Sequence, residues 1–276
     1  VSEWWIERAM DGLAVSALVT TRITGLMLTA PFLSDRTFPL QVRIGFTLLL
    51  SLALTPVLLP TFGPGVPVAL LAQPAVAILA LAGELGLGWL MGWVASVMVW
   101  AAQLAGHLLG QDIGYSLGGV IDPGSATSGS PTTHLMTLFA VMAFIALEGH
   151  RLLLLALGGS LQMVPVGSVG ALLLGGGIDP DVGATIASGL GGQIWSLGVQ
   201  IALPGILVLL FTTIGMGILA RVVPEMNVLV LGFALRTVVG LLALFLVLPF
   251  VADLFSSVVH GSIDLIDLAL ERVGGG

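Results

Sequence analysis

The chain has 276 residues, 57% hydrophobic and 8% charged, with a mean hydropathy of +1.12 and a net charge of −7. A soluble domain carries about 25% charged residues, so this composition marks a multi-pass membrane protein with no room for a large soluble domain. Cysteine and lysine are both absent, which excludes disulfides, thiolate sites, a Schiff-base lysine and a Walker-type phosphate site. The acidic balance offers no polybasic patch for nucleic acid.

The opening residues, Val1 to Asp11, are mixed in charge and amphipathic, without the pattern of a cleavable signal peptide. Apolar stretches then run over roughly 13–33, 44–59, 68–105, 135–165, 194–220 and 226–252. A spanning helix needs about 20 apolar residues, and few of these stretches are clean spans. The first contains Thr20-Thr21-Arg22, the second is cut by Pro56 and Pro60, and the third holds Glu84. The fourth divides into 135–147 and 152–165 around Glu148-Gly149-His150-Arg151. Each piece is too short to cross a hydrocarbon core of about 30 Å, so a broken helix or re-entrant hairpin fits better than one straight span. The last two are conventional, with a kink expected at Pro204 in the first of them. Arg36, Arg43 and Arg221 place their loops on the cytoplasmic side, and Asp179 and Asp181 theirs on the other. After Asp253 the chain becomes amphipathic and acidic.

Glycines at every fourth position (Gly106, Gly110, Gly114, Gly118) lead into Asp122-Pro123-Gly124 and then a polar tract from Ser125 to Thr133. In hydrocarbon such a segment would leave backbone groups unpaired, so it sits outside the membrane, inside protein, or against water. Small residues at this spacing let a second backbone approach closely. Gly88 and Gly92 repeat the spacing and fit ordinary intramembrane packing, whereas Gly106–Gly118 fits a pore-lining or mobile role. Glu84, Arg22 and Arg236 interrupt apolar runs. An ionisable residue at mid-span faces protein, a partner or water. Pairing with an arginine or a backbone group at a subunit contact suits Glu84, and interfaces or helix ends suit Arg22 and Arg236. His107, His134, His150 and His260 lack metal-ligand spacing, and neither an H-E-x-x-H nor a G-x-S-x-G motif occurs. No metal, cofactor or enzymatic chemistry is expected.

Ala30-Pro31-Phe32-Leu33-Ser34-Asp35-Arg36, Pro39, Val42-Arg43 and Gly45 resemble the first loop of the FliR family of flagellar type III export-gate proteins, whose injectisome relative is SctT. The resemblance continues in order through Ala105-Gly106, Gly110, Gly114, Asp122-Pro123, Gly149-His150, Leu157, Ser160 and Pro165-Val166-Gly167. It ends with Arg221, Pro224-Glu225-Met226-Asn227, Gly232-Phe233 and Gly240, and the Pro-x-Met-Asn stretch leans flagellar. Asp112-Ile113 stands where the family commonly has Gln-Met. His107 and Glu148 replace a frequent glutamate and asparagine, and Glu225 a glutamine.

The resemblance implies an all-α, membrane-associated protein of broken helices and helical hairpins. Residues 1–185 would form a FliP-like part with a plug segment at 111–131, and 186–276 a FliQ-like hairpin with an amphipathic tail. It implies a subunit of the flagellar export gate in the bacterial inner membrane and flagellar basal body. Several FliP-like and FliQ-like copies would be its neighbours, with FlhB-like and FlhA-like proteins at the cytoplasmic side and unfolded flagellar proteins as substrates. Much of that assembly would lie above the bilayer plane. Gly110, Gln111, Asp112, Gly114, Tyr115, Ser116, Gly118, Gly119, Asp122 and Pro123 would then belong to the pore and plug. Arg22, Glu84, Gly88, Gly92, Gly106 and Arg236 would serve subunit packing or hold buried charge. The rival expectation is a secondary transporter for a small solute, built on discontinuous helices with Glu84 as coupling group.

Overall fold

Long apolar runs dictate helices, and the described prolines fall mostly at helix ends. The computed structural model describes residues 4–31, 33, 39–62, 65–114, 130–170, 180–223, 225 and 227–274. Among them every regular element is helical: α1 (Trp4–Thr29), α2 (Leu40–Leu58), α3 (Val66–Ala72), α4 (Pro74–Ile113), α5 (Pro131–Ala146), α6 (Gly149–Met163), α7 (Pro180–Val222) and α8 (Val228–Gly274). Helices α4, α5 and α7 each open on a proline, whose missing N–H falls where no intrahelical partner exists. Helix α6 stops before Pro165, and α4 is followed directly by Gly114, whose φ of 102° turns the chain out of the helix.

Among the described residues, five helices are long and apolar enough to cross a membrane: Trp4–Thr29, Leu40–Thr61, Pro74–Ile113, Ala184–Val222 and Val230–Pro249. The bent pair Pro131–Ala146 and Gly149–Met163 makes a sixth if counted as one span. The expected break is present but tighter than the sequence suggested, confined to Leu147 and Glu148. Glu148 takes the left-handed conformation (φ 56°), and its carbonyl accepts from the N–H of Arg151 at 2.8 Å, starting α6. Elsewhere the helices outrun expectation. Helix α2 passes through Pro56 and gives way to a 3-10 turn at Leu59–Thr61, while α7 runs on through Pro204. The long third stretch divides at Gln73 into α3 and a single 40-residue α4 that passes Glu84 without a break.

The chain groups into two compact units, one of residues 1–96, 148–188 and 260–276, the other of 97–147 and 189–259. In the first, α1 buries Val15, Leu18, Val19, Ile23 and Leu26 along one stripe at helical spacing. Helix α2 is inverted: its buried positions are Thr47, Ser51 and Thr55, while Phe46, Leu49 and Leu52 face outward. The hydroxyls lie inward because they are small and can bond back to the helix. Thr47 donates to the Arg43 carbonyl and Thr55 to that of Ser51, each at 2.8 Å. Thr20 of α1 completes the seam, 2.8 Å from the Ser51 hydroxyl.

The short helix α3 depends on α1. Asp11, fully buried, accepts from the Gly65 N–H at 2.8 Å and from the Val68 N–H at 3.4 Å, capping α3 from a residue 54 positions earlier. Asp11→Ala therefore costs about 1–2 kcal/mol, read as a lowered thermal midpoint of the purified protein in detergent. Asp11→Asn keeps an acceptor and loses less. An Asp11→Ala protein with the parental midpoint would contradict the cap.

In the second unit, residues 97–113 of α4 pack against α5, α7 and α8. Gly198 and Gly205 of α7 receive Leu104 and Leu109, and Gly240 of α8 receives Ile113. Glycine on the surrounding helices thus seats a larger aliphatic side chain of α4.

Candidate functional site

Two constellations stand out, one in each unit. In the first, Arg22 of α1 meets Glu84 of α4, both with wholly buried side chains. Arg22 Nε donates to Glu84 Oε2 at 2.5 Å and Nη2 to Oε1 at 3.1 Å, a bidentate pair. The guanidinium also donates to the Val164 carbonyl at 3.1 Å and to Ser160 Oγ at 3.3 Å. Glu84 Oε1 accepts a further bond from the Gly167 N–H at 2.7 Å, in a turn where Gly167 has φ 86°. One ion pair thereby ties α1, α4, α6 and the turn after α6.

Backbone proximity makes this pair reachable. One turn beyond Glu84, a Cβ on Gly88 would overlap the Arg22 carbonyl oxygen, and one on Gly92 would stand 2.7 Å from the Leu26 carbonyl oxygen. Gly25 reciprocates on α1, where a Cβ would lie 2.8 Å from the Trp89 nitrogen. Hydroxyls continue the seam: Thr29 donates to the Trp89 carbonyl at 3.0 Å, and Ser96 to the Thr29 carbonyl. Charge, close contact and hydrogen bonds fix the same crossing of α1 and α4.

The second constellation is the end of α4. Gly106 and Gly110 are buried against the start of α5. A Cβ on Gly106 would stand 2.7 Å from Thr133 Cα, and one on Gly110 would stand 2.9 Å from Ser130 Cβ. Thr132 Oγ1 donates to the Gly106 carbonyl at 2.8 Å and lies 2.6 Å from Ser130 Oγ. The residues flanking 115–129, namely Gly110–Gly114 before it and Ser130–Thr132 after it, are therefore held side by side. Gln111 and Asp112 are exposed, and Gln111 Nε2 lies 3.0 Å from His107 Nε2.

Of the residues singled out from sequence, Arg22, Glu84, Gly88 and Gly92 gather in the first constellation. Gly106, Gly110, Gln111, Asp112 and Gly114 gather in the second. Arg236 lies apart on α8, half-buried and paired with no described residue. Tyr115, Ser116, Gly118, Gly119, Asp122 and Pro123 lie outside the described residues. Among the described residues no three His, Asp or Glu side chains are placed to hold a metal. Sequence reasoning did not foresee the roles of Asp11, Thr132, Ser160 and the Gly167 N–H. Ser160 and Pro165-Val166-Gly167 were already within the motif series of the resemblance, which was the available signal.

Fold and site together define an all-helical integral membrane protein. Among the described residues its helix crossings rest on glycines and a buried ion pair, and the residues on either side of 115–129 lie side by side. The chain belongs to the bacterial export proteins, family 1, whose model matches residues 13–261. It is 28% identical to the flagellar biosynthetic protein FliR of Escherichia coli (strain K12) over 250 residues, covering 89% of this chain and 90% of that one. Similarity to the flagellar biosynthetic protein FliR of Aquifex aeolicus (strain VF5) is 28% over 242 residues, covering 86% of each. The Yop proteins translocation protein T of Yersinia pestis is 26% identical over 167 residues, covering 60% of this chain and 62% of that one.

Proposed function

We propose that this chain is a subunit of the flagellar type III export gate in the bacterial inner membrane. Residues 1–185 act as a FliP-like part and 186–276 as a FliQ-like hairpin, packed against FliP-like and FliQ-like neighbours. FlhB-like and FlhA-like proteins act at the cytoplasmic side, and the cargo is unfolded flagellar protein. The observation that carries this is likeness to flagellar FliR proteins over nearly the whole length of both chains.

Within that gate, residues 111–131 serve as the plug. The contact of Gly110, at one end of that segment, with Ser130 and Thr132, at the other, supports this. The outward apolar residues of α2, α7 and α8, such as Leu49, Phe211 and Leu246, supply surface for neighbouring subunits and lipid. Solute-coupled transport finds no support at Glu84, whose carboxylate is wholly buried and taken up by Arg22 and the Gly167 N–H.

The test is affinity purification of the tagged chain from membranes of cells that also express its FliP-like and FliQ-like companions. Stable co-purification with both is expected. A chain that purifies alone and binds a small solute, with transport lost in Glu84→Gln, would overturn the gate in favour of a transporter.

A further inference from the structure

Between Val97 and Gln111, helix α4 carries three side chains with amide or imidazole groups: Gln103, His107 and Gln111. They recur every four residues and so share one face. Burial follows the same line. Ala101, Ala102, Ala105, Gly106, Leu109 and Gly110 are buried, whereas Gln103 is half-buried and His107 and Gln111 are exposed. The apolar positions of this half-helix are covered or partly covered, and its most open stripe is polar. That is the reverse of a lipid-facing helix, in which unpaired amides would be costly and the exposed side would be aliphatic. It is also the reverse of α2 in the first unit, whose hydroxyls are inward and whose aliphatics are outward.

We propose that the Gln103–His107–Gln111 stripe, which ends on the first residue of the plug segment, lines the water-filled conduit and is a surface that a passing polypeptide touches. The proposal rests on the gate reading above. Two independent features point the same way. The stripe runs directly into the pinned flanks of 115–129, since Gln111 sits between Gly110 and the Gly114 turn. Helix α4 is 40 residues long, about 60 Å, roughly twice a hydrocarbon core, so a large part of it lies outside lipid.

The chemistry suits an unfolded chain of arbitrary sequence. His107 and Gln111 are within 3.0 Å of one another. The amide oxygen of Gln111 and the second ring nitrogen of His107 remain for outward hydrogen bonds. Such groups exchange with water and with peptide N–H and C=O alike. The glutamine amides carry no charge that would hold one cargo segment more tightly than another.

The chain has no cysteine, so a single introduced thiol is unique within it. The assembled complex in membrane vesicles, lacking residues 115–127, would carry His107→Cys or Gln111→Cys. Leu138→Cys on α5, apolar and 63% exposed, is the control. The complex without an added thiol serves as blank for partner cysteines. A membrane-impermeant maleimide should label positions 107 and 111 at least tenfold faster than 138, and labelling should cut the ion leak by more than half. A leak with equal labelling rates, or with labelling that leaves it unchanged, overturns the stripe alone. No leak in the deletion overturns the gate reading and the stripe with it. A second readout needs no thiol: in the same deletion, His107→Glu and His107→Arg should move the cation-to-anion preference several-fold in opposite directions. An identical preference in assembled complexes of both overturns the proposal.

Discussion

Glu84→Ala should lower the stability of the first unit by about 3–5 kcal/mol, the cost of leaving a buried charge without its partner. The removed carboxylate strands the Arg22 guanidinium, which is itself fully buried, and frees the Gly167 N–H. Ser160 and the Val164 carbonyl still accept from Arg22, but neither carries the charge that balances it. The paired change Arg22→Met with Glu84→Leu should recover most of that loss, because apolar replacement of a whole buried pair is often close to neutral. Denaturant unfolding in detergent, followed by tryptophan fluorescence, reads both. Trp89 and Trp93, with ring centroids 4.6 Å apart, sit on α4 just beyond the pair and report its crossing with α1. A single variant that unfolds at the parental midpoint would contradict the structural role given to this pair.

Gly88→Val should destabilise by about 3 kcal/mol or more. A Cβ there meets backbone, the Arg22 carbonyl oxygen and, at 2.9 Å, the Leu26 nitrogen, so no rotamer change relieves the overlap. The helices would have to separate, and separation stretches the Arg22–Glu84 bonds one turn away. Its effect therefore overlaps with that of Glu84→Ala, and the double variant should fall short of the sum. Gly86 supplies the contrast on the same helix. A Cβ there would meet nothing within 4 Å, and Gly86→Ala should stabilise by up to about 1 kcal/mol through helix propensity. Equal losses in the two variants would argue against a close crossing at Gly88.

The parts of the fold visible in sequence were those encoded locally. The long apolar runs and the Glu148-Gly149 interruption are both local signals. They suffice for an all-helical chain with a broken pair. The unbroken passage of α4 through Glu84 was not legible, because it depends on an arginine 62 residues earlier. The inward side of α2 was hidden for a related reason. Its buried face is made of hydroxyls, and an apolar periodicity points to the opposite side. Asp11 looked like part of a mixed, amphipathic start, yet its partners are N–H groups 54 and 57 positions later. The glycine spacing along α4 was evident, but not that Gly106 and Gly110 serve to seat Thr132 and Ser130.

The ordered motif series carried what local patterning did not. Its members Gly149, Ser160 and Gly167 are scattered in sequence, and two of them hydrogen-bond to the Arg22–Glu84 pair. Motifs individually weak thus converge on one structural centre, while Gly106, Gly110 and Gly114 converge on the other.

Ion leak through the assembled complex reads directly whether residues 111–131 close a channel. Removing residues 115–127 leaves Ser128 and Gly129 to join flanks that already lie together at Gly110 and Ser130. The helices should therefore assemble with the partners proposed above as the parent does. Membranes containing that complex should leak ions well above the parental level, and flagellar secretion should change with it. An assembled complex as tight to ions as the parent would show that this segment does not close a channel.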